Sequence, residues 1–443
     1  MKRYSAYKPS GVEWIGDVPE KWEICRLKNY CSLKGRIGWN GLRSDEFKDI
    51  SYAYLVTGQD FEGDVIPWEK CYQIDKARYD EDPFIQLKNG DLLITKDGTI
   101  GKIAKVSNLD KPACLNSGIF VMKQTKNKYS QDYLFWSLKS NLLRDFNDYT
   151  SSGTTILHLY QNVFENMPML VPPLSEQVAI AAYLDAKCAK IDNVLSVQQK
   201  RIDLLKELKQ SIITNAVTKG LDKNVEFKPS GIEWIGDIPE KWRLVTTLYT
   251  LSMPITDGPH ESPELYEEGI PFISAEAVSG GVIDFDNMRG YISEEYYQEC
   301  CKKYKPEKYD IYMIKSGATT GKTAIVLTDN VFTIWSPLAV YRANTQRINP
   351  FFLLYVLRSE YYQKQVESSW SYGTQQNIGM RVLEKLKVAL PSLSEQSTIL
   401  SYLDKKCSAI DSQISKIERQ IELLKEYKQS IITECVTGKR KVC

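Results

Sequence analysis

Two long stretches of the chain place apolar or seam-compatible residues at alternating steps of four and three. The first runs through Leu184, Cys188, Ile191, Leu195, Gln198, Ile202, Leu205, Lys209, Ile212 and Ala216. The second runs through Leu403, Cys407, Ile410, Ile414, Ile417, Ile421, Leu424, Lys428, Ile431 and Cys435. A spacing of 3.5 residues held over several heptads predicts a coiled coil rather than a helix lying on a broad core. Ser175, after Pro172-Pro173, is the expected N-cap, with Glu176 in the first turn where a negative charge suits the helix dipole. Gly220 and Gly438 are the expected C-terminal stops. Lys209 and Lys428 share a seam position; a long lysine there snorkels to solvent or, on the sharper reading, fixes register.

The stretches ahead of each helix follow a different rhythm. Short β-prone runs occur at Asp91 to Thr95, Lys102 to Val106, Ile119 to Lys123, Ile311 to Lys315, Lys322 to Val326 and Leu338 to Tyr341, with glycine turns at Asp97-Gly98 and Ser316-Gly317. Helices are expected at Gln131 to Leu143 and Pro350 to Gln365. The class is therefore α+β, with two globular units of mostly antiparallel sheet joined by two long helices.

These patterns belong to an internal duplication. KPSGVEWIGDVPEKW at Lys8 to Trp22 returns as KPSGIEWIGDIPEKW at Lys228 to Trp242, with 13 of 15 positions identical. Leu174 to Lys219 returns as Leu393 to Gly438, with 26 of 46 identical. Between these blocks the copies diverge, apart from echoes such as Asp91 to Gly98 against Asp310 to Gly317, each followed by Gly-Lys at Gly101-Lys102 and Gly321-Lys322. The expected divisions are 1–172, a variable body; 173–220, a constant helix; 221–390, a second body; and 391–443, a second helix. Glu176 to Val217 spans 42 residues, or roughly 63 Å at 1.5 Å per residue. Antiparallel packing of the two helices would bring the end of each beside the matching copy of the Lys8 to Trp22 segment, giving a pseudo-two-fold, nearly circular molecule. Parallel packing would leave these junctions unmatched.

Composition adds limits. With 26% charged and 43% hydrophobic residues the chain reads as a soluble globular protein. No stretch approaches a membrane span, and Met1 to Pro9 has no signal-like apolar region, so the cytoplasm is expected. The ten cysteines form no CxxC and the two histidines, His158 and His260, are isolated; reduced thiols are expected, with neither zinc nor a disulfide framework. A net charge of +1 carries no global signature of a nucleic-acid partner.

Local chemistry is more suggestive. Lys96, Lys102 and Lys105 in the first body, and Lys315 and Lys322 in the second, flank the hairpins, where they can contact phosphates or simply guard a sheet edge. Lys34, Arg36, Trp39 and Arg43 form a glycine-rich basic and aromatic loop. The second body has a polar turn, Thr256-Asp257-Gly258-Pro259-His260. Arg36, Trp39, Arg43, Asp257 and His260 are the candidate base or backbone contacts. Catalytic signatures are missing. Gly317 to Thr323 resembles a phosphate loop but has three residues between its glycines instead of four and lies between strands. No nucleophile elbow, His-Glu-x-x-His, amino-methyltransferase motif or nuclease cluster appears.

With the SGxEWIGDxPEKW segment repeated, Gly153-Thr154 and Gly373-Thr374 upstream of the helices, and PPLSEQ or PSLSEQ followed by LDxKCxxID, the chain resembles the specificity subunit of Type I restriction-modification systems. The resemblance covers nearly the whole chain and rests on the duplicated order of modest motifs. It implies that each body is a target recognition domain reading one half of a split site on double-stranded DNA. It also implies that the helices form an antiparallel coiled coil, a ruler of nearly two DNA turns, that docks two methyltransferase subunits, with restriction subunits joining them. S-adenosylmethionine, ATP and Mg would belong to those partners, and this chain would have no catalytic residue, metal or cofactor of its own. The Thr256 to His260 turn and Gly269 to Ile273 match a common recognition-domain pattern. Lys34 to Trp39 departs from it, so the half-sites should differ. A protein-binding scaffold and an unrecognised DNA-modifying enzyme are the alternatives.

Overall fold

The computed structural model describes residues 3–36, 42–125, 129–150, 159–370 and 377–442, without the side chains of Ser44 and Ser279. Trp39, His158, Gly153-Thr154 and Gly373-Thr374 lie outside the described residues. The chain divides into two compact units, residues 1–198 with 419–443, and residues 199–418. Each holds one body and a half of each long helix.

The long helices run from Leu174 to Lys219 and from Leu393 to Val436. All twenty seam positions named from the sequence are buried or half-buried. The first helix begins earlier than expected: the amides of Glu176 and Gln177 donate to the Pro173 carbonyl, so Ser175 lies inside the helix and Pro173 holds the cap position. Ser392 stands in the equivalent place and its hydroxyl accepts from the Glu395 amide at 3.3 Å.

Within the first unit, Glu176 accepts from the Trp22 indole at 3.2 Å, and Gly438 lies against that same indole, while Asp192 meets Lys428 further along. The two helix halves are therefore antiparallel. In the second unit Gly220 lies beside Glu395 and Trp242 while Lys209 meets Asp411, again antiparallel. Gly220 and Gly438 have φ of 71° and 72°, the left-handed stop that glycine takes without strain. A Cβ on Gly438 would come within 2.3 Å of the Pro19 ring, so the helix end needs a bare backbone to lie on its constant segment.

Lys209 and Lys428 do more than snorkel. The Lys209 ammonium contacts both oxygens of Asp411 at 2.7 Å, and Lys428 contacts those of Asp192 at 2.6 and 2.7 Å. Each pair is partly exposed, so its worth is at most about 1 kcal/mol. Its position nevertheless favours one register.

The two bodies, nearly unrelated in sequence, share one topology. In the first, a four-stranded antiparallel sheet has the order Cys31–Lys34, Ile119–Gln124, Leu92–Thr95, Ile103–Lys105. In the second the order is Thr256–Asp257, Leu338–Tyr341, Ile311–Ile314, Thr323–Ile325, extended by Val282–Ile283 and Val278–Ser279. Each body adds a three-stranded sheet with one parallel pair: Tyr72–Ile74, Ala53–Val56 and Ala113–Leu115 in one, Gly290–Ile292, Ile270–Ile273 and Thr333–Ile334 in the other.

Strand alternation explains why the central strands are apolar throughout. Leu92, Ile94, Phe120 and Met122 face a core shared with helices and the long helix pair, while Leu93, Ile119 and Val121 face the second sheet. Ile311, Met313 and Tyr341 against Tyr312, Ile314 and Val340 repeat the arrangement. Strands buried on both faces need no polar alternation.

The expected helices at Gln131 to Leu143 and Pro350 to Gln365 are each two helices, Gln131–Lys139 with Asn141–Thr150 and Pro350–Arg358 with Glu360–Ser368. The breaks fall at Ser140 and Ser359, whose hydroxyls turn back to the carbonyls of Ser137 and Val356 at 2.6 Å. Thr433 accepts from the Asn141 amide at 3.1 Å, and Thr214 from the Glu360 amide at 2.9 Å. One turn earlier, Gln429 donates to the Lys139 carbonyl and Gln210 to that of Arg358. The long helices thus cap both sides of each break, which no local sequence signal reveals. The buried amides of Gln177 and Gln396 add a matched clasp, accepting from the Ser130 and Asn349 amides at 2.8 Å and donating to the Pro172 and Pro391 carbonyls.

The described cysteines are all free, Cys25 and Cys301 half-buried and the rest buried. Among the described residues no helix is long and apolar enough to cross a membrane.

Candidate nucleic-acid interface

In the second body the polar turn begins on an edge strand, where Asp257 pairs with Ala339. Gly258 follows with its α-carbon against the Ile334 carbonyl, where a Cβ would lie 2.0 Å from the oxygen; only glycine fits. The preceding Asp257 carboxylate is turned inward, its side chain 1% exposed. Three basic side chains converge on it: Lys303 bonds one oxygen, and Lys315 and His260 lie 3.3 and 3.1 Å from the other. Lys303 also donates to the Gly258 carbonyl at 3.2 Å. Burial alone would raise the Asp257 pKa, but Lys303 and Lys315 outweigh it and hold the carboxyl below its ordinary value.

This cluster corrects the expectation of a base-contacting Asp257. The carboxylate is an internal anchor, and the groups it holds are two lysines and His260. His260 is 69% exposed, Lys303 about half exposed, and Lys315 only 11%. Lys322 is exposed in the neighbouring hairpin. Lys303, the last residue of helix Glu294–Lys303, was missed in the sequence because nothing local ties it to a turn 43 residues earlier at His260.

Arg289 and Trp335 were also missed. The Arg289 guanidinium lies 3.8 Å from the centre of the Trp335 ring, and the indole N–H donates to the Glu261 carbonyl at 3.1 Å, tying the pair to the same turn. Basic and aromatic residues 46 positions apart carry no motif signal.

In the first body the matching strand ends at Lys34, and Gly35 and Arg36 take the places of Asp257 and Gly258 in register. Arg36 is 2% exposed. Its Nε donates to the Leu115 carbonyl at 2.9 Å, the counterpart of Ile334, and its Nη2 reaches the Cys114 sulfur at 3.5 Å. Arg36 is thus a buried support of the loop and presents no donor at the surface. Lys96, the counterpart of Lys315, has no carboxylate partner among the described residues and lies 5.0 Å over the Phe120 ring instead.

Lys105 is half-buried and paired with Asp132, which ties hairpin to helix. Lys102 is exposed and lines a cleft of about 930 Å³ with Lys139, Arg144, Asn147, Tyr160 and Gln429. Arg43 is exposed, and its amide donates to Glu46 at 2.7 Å. The structure brings Asp257, His260 and Lys315 together in one body. In the other, Lys96 and Arg36 flank one edge, while Lys102 stands in the cleft and Lys105 on the hairpin.

The model of the Type I restriction modification DNA specificity domain matches residues 19–207 and 258–423. The chain belongs to this family of DNA-specificity domains. It is 28% identical over 441 residues to the Type I restriction enzyme MjaVIII specificity subunit of Methanocaldococcus jannaschii, covering 96% of this chain and 94% of that one. It is 25% identical over 354 residues to the EcoBI specificity subunit of Escherichia coli, covering 79% and 73%. A chain from the solved structure "Structural basis underlying complex assembly and conformational transition of the type I R-M system" superposes with a TM-score of 0.69 at 20% identity, covering 96% of this chain and 99% of that chain. The HsdS subunit from Thermoanaerobacter tengcongensis gives 0.50 at 20% identity, covering 96% and 98%. These two likenesses show the fold.

Proposed function

We propose that this chain is the DNA-recognition subunit of a Type I restriction-modification complex, in which each body reads one half of a split site on double-stranded DNA. The observation that carries this reading is the contrast within the duplication. The bodies share a strand order, yet their corresponding loops carry Gly35-Arg36 in one and Asp257-Gly258 in the other. The helical clasps beneath them, Gln177 and Gln396, Thr214 and Thr433, are the same. A constant frame with two divergent reading edges suits one kind of partner and two different half-sites. The recognition domains would be residues 1–172 and 221–390, with the constant regions at 173–220 and 391–443.

The long helices support docking of methyltransferase subunits, two by the duplication, with restriction subunits joining the assembly. Leu204 and Leu208 are exposed on the first helix, and their repeat counterparts Leu423 and Tyr427 on the second. Apolar side chains kept at the same solvent-facing positions in both copies are a place for one partner to bind twice. Methyl transfer and cleavage would be done by those subunits with S-adenosylmethionine, ATP and Mg, while this chain supplies sequence choice.

Mapping the methylated sites left by the assembled complex tests the reading. A split site is expected, and replacing residues 1–170 with another body should change one half of it. Changed preference in both halves, or no sequence preference at all, would refute the proposal.

A further inference from the structure

Several cations of the second body are held by carboxylates, and Arg289 is not. Lys302 pairs with Glu299, Lys303 with Asp257, Lys308 with Asp329 and Arg342 with Asp310. Arg289 is exposed and has no ion pair or side-chain hydrogen bond among the described residues, yet it is held in place. Its amide donates to the Phe272 carbonyl at 3.0 Å, and its guanidinium carbon lies over the Trp335 ring, close enough for the two planes to stack. Trp335 is fixed in turn by its amide to the Ile273 carbonyl at 2.8 Å and its indole to Glu261. The adjoining Ser336 amide donates to Pro259 at 3.1 Å, so the platform is continuous with the turn that carries His260.

Stacking uses the π-face of a guanidinium and leaves its edge N–H groups available. A planar fork already oriented by an aromatic ring loses little side-chain entropy on binding, and it matches two adjacent acceptors. On a base edge in the major groove that pair is O6 and N7 of guanine. Phosphate accepts the same bidentate fork; the base edge is favoured here because the exposed Lys322 of the neighbouring hairpin is available for phosphate, and the two readings separate by their salt dependence.

We infer that Arg289 is a specificity-determining residue that reads a guanine in the half-site of the second body, with Trp335 as its positioning residue; this rests on the DNA-reading function proposed above. Among the described residues the first body has no such device at this place. Cys71 occupies the place of Arg289 by strand register, and Asn116 that of Trp335, its amide donating to Val56 as Trp335 does to Ile273. This contact is therefore expected in the half-site of the second body.

The test uses the full chain assembled with its methyltransferase subunits on a randomised DNA library, with discrimination read at every position of the site. The wild-type complex is expected to require a guanine in the half-site of the second body. Arg289→Ala should cut discrimination at that position on the order of ten- to a hundredfold and leave the other half-site intact, which also reports that the complex has folded. Arg289→Lys should not restore it, and Trp335→Leu should weaken the same position to a smaller degree. Unchanged preference at every position in Arg289→Ala would overturn the inference. So would a uniform loss across all sequences with a shallower salt dependence, the mark of a phosphate contact. A wild-type complex with no split site would overturn the underlying DNA-reading function instead, before any substitution is made.

Discussion

Lys96 and Lys315 occupy the same place in two sheets of the same strand order, and they do different things. Lys315 is drawn onto a buried carboxylate together with Lys303 and His260, while Lys96 lies over the Phe120 ring. The difference begins two strands away in the sheet. The register position that holds Asp257 in the second body holds Gly35 in the first, and the next position holds Gly258 in one and Arg36 in the other. In the second body the backbone packs directly on Ile334 and the charge network lies under the turn. In the first, an arginine side chain fills that space and bonds the matching carbonyl of Leu115. A common sheet can therefore carry unlike edges, because the strands are specified by apolar packing on both faces and the edge residues are left free to differ.

The sharpest way to break this comparison is Gly258→Ala. Its Cβ would lie 2.0 Å from the Ile334 oxygen and 2.6 Å from its carbon, so backbone must move. We expect a loss of about 3 kcal/mol or more in denaturant unfolding and loss of the second half-site. A mild effect would show that the turn is not packed as described.

Asp257→Asn follows, leaving Lys315 nearly buried and without its counter-charge, at a cost of about 3 kcal/mol at neutral pH. Because the folded pKa of Asp257 is lowered from 3.8, its contribution is complete above that value and is lost as pH falls through the lower folded value. The stability gap between wild type and Asp257→Asn should thus be widest near pH 7 and close well below pH 4. A gap that stays constant down to acid pH would assign the effect to packing.

Substitutions in the shared frame should erase the contrast. Thr214→Val and Thr433→Val remove the same helix cap from each body, and each should cost about 1 kcal/mol. Clearly unequal losses would mean that the two clasps, alike in geometry, differ in strength. The smallest effect belongs to the seam pairs. Reversing Asp192 and Lys428 singly should cost under about 1 kcal/mol, and reversing both should restore stability. Failure of the double reversal to recover would argue against a direct pairing.

Much of the frame was legible in the sequence because its signals are local and periodic. The seam positions, the glycine stops and the six strand runs each lie near where the pattern put them. The helix breaks at Ser140 and Ser359 were not legible, since the groups that satisfy them come from Thr433 and Thr214, distant in the chain. The candidate interface was read less well. A turn motif pointed to Asp257 and His260, and basic residues near hairpins pointed to Lys96 and Lys315. Composition could not distinguish an arginine that faces outward from Arg36, which supports a carbonyl inside the body. Nor could it pair Arg289 with Trp335.

The sequence by itself determined that this chain is a duplication, that its constant segments end in coiled-coil helices, and that its bodies are sheet-rich and free to diverge. Those properties follow from hydrophobic periodicity and self-similarity, which act along the chain. Only the tertiary structure decided which polar groups face outward. A polar side chain taken out of water must find a partner wherever the fold supplies one, and for Arg36, Thr214 and Thr433, and for Asp257 through Lys303 and Lys315, that partner lies far away in sequence.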